Sequence, residues 1–195
     1  MSDSVVKVKR KSLFAMIFMA YKNFSMSFRQ QRRSFTSERE LLLLAFTGTL
    51  ILFMANLPVQ IIRSSVVEEI DLHIYIGLIA FVSFFFIPLF LYIVSTILFF
   101  IFKVFKGSAS FYELRLALFW SLNVAGPLLI LNGLLKGFFF NFEWIGLMSL
   151  ILNSFAAWII SSILATAQNY KSALPTFFVA VAFIMTPQFV PQILS

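Results

Sequence analysis

Residues 112–137 read YELRLALFWSLNVAGPLLILNGLLKG, and the fold turns on how this run is taken. After Glu113 and Arg115 no charge appears for twenty residues, until Lys136. As a helix, that run is long enough to cross the hydrocarbon core of a bilayer. Asn123, Gly126, Pro127, Asn132 and Gly133 would mark turns in a soluble chain. Inside an unbroken apolar run they read instead as devices for close helix packing and for bending a backbone away from water. Gly126, Gly133 and Gly137, seven and four residues apart, fall on nearly one helical face. Asn123 and Asn132 are nine residues apart and point to nearly opposite faces, so one helix can be hydrogen-bonded on two sides. Pro127 lacks an N–H and so releases the carbonyl of Asn123.

Working outward, the next apolar segment runs from Trp144 to about Ala165. In it Ser149, Asn153, Ala157, Ser161 and Ala165 follow at steps of four, a narrow stripe that predicts close approach of another helix. Beyond Lys171 a last segment, 174–194, carries no charge, and Pro187 and Pro191 fall near its end. In the other direction, 73–102 exceeds the length of one span and predicts a tilt or a kink at Pro88, with Ser83 near enough to help satisfy the released carbonyl of Phe84. Before it, Ser37 and Glu40 have the spacing of a capping box ahead of an apolar run at 41–62. The expected fold is all-α: a polytopic membrane protein of five transmembrane helices, at 41–62, 73–102, 112–135, 144–165 and 174–194.

Composition agrees. A chain of 195 residues that is 61% hydrophobic and 12% charged, with 27 phenylalanines and a mean hydropathy of +0.95, cannot cover a soluble globule with polar surface. The net charge of +7 is concentrated early, with nine of the fifteen basic residues before position 40. Two regions follow: a basic segment, 1–37, and a membrane domain, 38–195. In the first, Leu13, Ile17, Ala20 or Tyr21, Phe24 and Phe28 recur at helical steps, predicting one amphipathic helix lying at the membrane interface. Lys7, Lys9, Arg10, Lys11, Arg29, Arg32 and Arg33 are its expected contacts with anionic lipid. With the amino terminus inside, Lys103, Lys106, Arg115 and Lys171 join the early basic residues, and only Arg63 and Lys136 fall outside. The positive-inside rule therefore predicts a cytoplasmic amino terminus and an external carboxyl terminus. Tyr112 and Arg115 then stand at the cytoplasmic boundary.

Little in the chain suggests reaction chemistry. There are no cysteines, no glycine-rich phosphate loop, no nucleophile elbow and no HExxH element. Glu113 and Glu143 fall at opposite membrane faces and cannot act as an acid/base pair. Glu68, Glu69 and Asp71 read as a solvated loop rather than a cation site, and His73 stands without a second ligand. The sequence predicts a protein that is not an enzyme and takes no cofactor or metal. Basic residues interleaved with apolar ones at helical spacing point to a membrane surface, not to nucleic acid.

The run GSASFYELRLALFWSLNVAGPLLILNGLLKGFF resembles the corresponding segment of bacterial Yip1-family membrane proteins of the alphaproteobacterial type. Tyr112, Arg115, Ala117, Leu118, Phe119, Trp120, Pro127, Leu131, Asn132 and Gly133 carry the likeness. It implies an amino-terminus-inside, five-helix Yip1 domain over roughly residues 38–194, in a bacterial inner membrane. The small-GTPase and vesicle-traffic roles of eukaryotic relatives are not implied, since residues 1–40 contain no DLxGP-like element. The resulting expectation is a non-enzymatic membrane protein that binds or organises partners, or self-associates, through the helix-four stripe and the basic segment. The alternatives are a transporter or channel component lined by Asn123, Asn132 and Asn153, and an accessory subunit of a larger membrane complex.

Overall fold

The computed structural model describes residues 12–64, 71–178 and 180–181, and within them every regular element is a helix. They are α1 (Leu13–Ala20), α2 (Phe24–Ser34), α3 (Glu38–Ser64), α4 (Leu72–Val104), α5 (Phe111–Phe138) and α6 (Ile145–Ala167). Four of these, α3 to α6, are long and apolar enough to cross a membrane, as expected of an integral membrane protein. Of the fifth predicted span, only 174–178 and 180–181 are described, and they are helical; the remainder lies outside the described residues.

Local chemistry sets the helix starts. Ser37 and Glu40 cap α3 reciprocally: Glu40 N donates to Ser37 Oγ (3.4 Å), while the Ser37 and Thr36 amides donate to Glu40 Oε2 (3.3 and 2.9 Å). The same box recurs at α5 with Ser110 and Glu113. Asp71, the last of the three loop acids, accepts from His73 N at 3.0 Å and starts α4; Glu68 and Glu69 lie outside the described residues. Helix α4 runs unbroken through Pro88 for 33 residues, about 50 Å at 1.5 Å per residue, so it must tilt in or project from a core of about 30 Å. Ser83 does not compensate that proline, because its hydroxyl makes no hydrogen bond among the described residues.

The amino-terminal segment departs from expectation. Instead of one interfacial helix there are two, divided at Asn23, whose Oδ1 accepts from Met26 N at 2.8 Å and caps α2. The apolar steps that predicted lipid contact face protein: Ile17, Ala20 and Phe28 are buried in the common core. An apolar stripe has no means of distinguishing lipid from a complementary helix groove, and here α5 and α6 supply the groove.

Helix α5 is central, packing on α3, α4 and α6 and touching α1 and α2. Its fully buried Phe119 and Trp120 anchor the core with Leu114 and Leu116. Trp120 keeps its indole N–H satisfied by donating to Ser27 Oγ on α2 (3.2 Å).

Candidate functional site

The polar and small residues singled out in α5 are divided between two neighbours. One side faces α3. Gly133 lies so close to that helix that an added methyl group would overlap the Ala55 carbonyl, and Gly137 meets Pro58 in the same way. Gly126 rests on Ile51, whose Cδ1 would be 2.7 Å from such a methyl. From α3, Gly48 answers against Leu122, at 2.8 Å by the same construction. None of the chain's described glycines has a positive φ, so their role here is approach: Gly133 and Gly137 meet backbone or a proline ring and admit no larger residue, whereas Gly48 and Gly126 face the movable ends of Leu122 and Ile51. Asn123, fully buried, closes this side: its Nδ2 donates to Leu44 O on α3 (3.0 Å) and to Phe119 O one turn back (2.8 Å).

The other side faces α6. Asn132 Nδ2 donates to Asn153 Oδ1 at 2.9 Å, and Asn153 Nδ2 reaches Ser149 Oγ at 3.5 Å. Ala157 and Ser161 continue the stripe and are buried; Ser161 donates to its own Ala157 carbonyl, while Thr176 donates to the Ser161 carbonyl at 2.9 Å. The stripe of α6 is thus covered within the chain, by α5 and the helical residues after Leu174. Asn123 Oδ1 and Asn132 Oδ1 are buried and accept no hydrogen bond among the described residues.

The three asparagines do not line one path. Asn123 is turned to α3, whereas Asn132 and Asn153 form a separate pair between α5 and α6. Pro127 itself is exposed, inside an unbroken α5, and near it Tyr21 donates from the end of α1 to the Val124 carbonyl at 2.9 Å. Burial pushes the Tyr21 phenol above its ordinary pKa of 10.0, which keeps it a donor.

At the boundary proposed to be cytoplasmic, two ion pairs tie the segments together. Arg115 forms a fork with Glu38 (2.9 and 2.5 Å) beneath the rings of Phe111 and Tyr92. Arg32 binds Glu113 at 2.6 Å. Tyr112 reaches the Ser37 carbonyl at 3.4 Å. Of the expected lipid contacts, Arg32 therefore has a protein partner, Arg29 and Arg33 are exposed, and Lys7, Lys9, Arg10 and Lys11 lie outside the described residues.

Sequence reasoning missed several positions. Gly48, flanked by Thr47 and Thr49 in an apolar run, carried a readable close-approach signal. Gln168 carried none: its carboxamide oxygen accepts from Ala109 N at 3.2 Å and its carbonyl from Ser108 Oγ at 3.0 Å, fastening the α4–α5 loop to the end of α6. Tyr170, whose phenol burial also pushes upward, donates to the Phe105 carbonyl at 3.1 Å in the same cluster. Among the described residues no group of three or more His, Cys, Asp or Glu side chains converges as a metal site. Comparison of the chain with protein-family models, curated proteins and solved structures gives no match.

Proposed function

We propose that this is a non-enzymatic Yip1-type integral membrane protein that organises partners in the membrane, with its amino terminus cytoplasmic and 174–194 as a fifth span. The observation that carries the reading is the use of the chain's intramembrane polar groups. Asn123, Asn132 and Asn153 join helix to helix rather than converging on one chamber. Such contacts contribute about 0.6 to 2 kcal/mol each as helix glue. A rigid bundle of this kind holds its α1–α2 segment in place, and that segment offers the outside world both basic side chains and the exposed Phe14, Phe18 and Met26. It is an interfacial element with one face on the bundle and the other open to anionic lipid and partner chains.

The chain lacks cysteine, so single introduced cysteines report topology cleanly. Ser34→Cys and Ser172→Cys should be shielded from an impermeant thiol reagent in intact cells, and Asn141→Cys labelled; the reverse pattern would overturn the orientation. For the partner role, crosslinking in native membranes followed by purification in mild detergent should yield a defined co-migrating chain or a dimer, diminished by Phe14→Asp and Phe18→Asp. Recovery of a monomer alone, whatever residue is changed, would defeat the proposal.

A further inference from the structure

Between α1 and α2 lies a cleft of about 180 Å³, lined by Met16, Met19 and Met26 together with Lys22, Gln30 and the buried Gln31. Gln31 is 2% exposed; its Nε2 donates to Met16 Sδ at 3.4 Å, while its Oε1 is buried without a donor. The cleft shares Asn23, Met26 and Gln30 with a neighbouring groove over the outer face of α2, which also contains Arg29, Arg33, Ser25 and Ser34. Arg29 and Arg33 are four residues apart and so lie side by side on the helix. Neither forms an ion pair among the described residues, and no carboxylate lines the cleft or the groove. Their neighbour Arg32, by contrast, is neutralised by Glu113.

We infer that this composite groove binds one anionic phospholipid, its phosphate held by Arg29 and Arg33 and part of one acyl chain lodged among the three methionines. Paired guanidinium groups suit phosphate oxygens, to which they present parallel N–H donors. Unbranched thioether side chains adapt to an apolar chain of irregular shape. The groove is set at the right level for a lipid headgroup, because its Ser25 accepts from Thr166 Oγ1 at 2.8 Å, one residue before α6 ends at Ala167. The inference rests on the proposed interfacial role of this segment, and replaces diffuse attraction to a charged surface with a discrete site.

The full chain in a delipidating mild detergent would be titrated by native mass spectrometry with dioleoyl phosphatidylglycerol, dioleoyl phosphatidylcholine or inorganic phosphate. One phosphatidylglycerol should bind at least about tenfold more tightly than a second copy or than phosphatidylcholine. The double change Arg29→Gln with Arg33→Gln should remove that preference without altering thermal unfolding, since both side chains are exposed. Met26→Ser should weaken the lipid a few-fold. Excess inorganic phosphate that displaced the lipid completely would show a phosphate site and overturn a lipid one. If the double variant kept full binding while Gln at Lys7, Lys9, Arg10 and Lys11 reduced it, the discrete site would fall and the diffuse interfacial role would stand. Binding indifferent to both sets would remove both.

Discussion

Helices α4 and α5 have similar lengths and opposite situations. The more hydrophobic of the two, α4, is the less enclosed: 28% of its most apolar window is buried, against 61% for α5. Phe81, Phe85, Phe86, Phe90 and Phe100 on α4 are all exposed, whereas α5 buries Asn123, Gly126, Asn132 and Gly133. In water this distribution would be inverted. In a bilayer phenylalanine gains little by leaving lipid for protein, so the interior position goes to the helix whose small residues allow close approach and whose amides need partners. Hydropathy locates spans but does not rank them by burial.

The comparison is broken most severely at the glycines. Gly133→Leu should prevent assembly, since even a methyl group there overlaps the Ala55 carbonyl, and Gly133→Ala should cost about 1 to 3 kcal/mol as overpacking. The matched change in α4, Gly77→Ala, meets nothing within 4 Å and should cost nothing, stabilising the helix by up to about 1 kcal/mol. Thermal unfolding of the two variants in one detergent checks the contrast; equal losses would refute the close-packing account of α5.

Next in size is the α5–α6 amide pair. Asn132→Leu and Asn153→Leu should each destabilise the bundle, with a double-mutant-cycle coupling of about 0.6 to 2 kcal/mol. Additive losses would mean the two amides act separately. A smaller effect is expected at the boundary: Arg115→Lys keeps the charge but loses the fork to Glu38 and the stacking on Phe111, costing about 1 kcal/mol, less in high salt because Glu38 is largely exposed. Steady-state levels of folded protein across a salt series would reveal it.

The Tyr21 contact should give the smallest change and a pH signature. Because burial raises the phenol's folded-state pKa, the contact's contribution is fully present below pH 10.0 and is lost as pH rises through that raised value. Tyr21→Phe should remove about 0.5 to 1.5 kcal/mol near neutrality and flatten the alkaline limb of the stability profile. An unchanged alkaline limb would sink the assignment.

Some of this was legible because the governing interactions are local. The Ser37 and Glu40 cap needs only a three-residue spacing, and the glycine face of α5 needs only helical periodicity. The break at Asn23 was also written in the chain, as a capping residue, but was masked by apolar steps that continue across it into Phe24 and Phe28. Gln168 and Tyr21 were out of reach, since their partners lie 59 and 103 residues away, and nothing in their own neighbourhoods marks which backbone group they will meet.

By itself, then, the sequence determined that the chain is helical and apolar enough to be membrane-embedded, where four of its five expected long apolar segments fall, and that α5 has one face for backbone approach and amides on two sides. Charge-free length, periodicity and capping are properties of neighbouring residues. Only the tertiary structure decided that α3 answers the glycine face, that Asn132 pairs with Asn153, and that the amino-terminal segment folds as two helices with Ile17, Ala20 and Phe28 in the common core while Phe14, Phe18 and Met26 stay exposed. Those outcomes depend on which surfaces fit one another at distance, and the same stripe of apolar or small residues serves lipid, a partner or the chain itself until a complementary surface is brought to it.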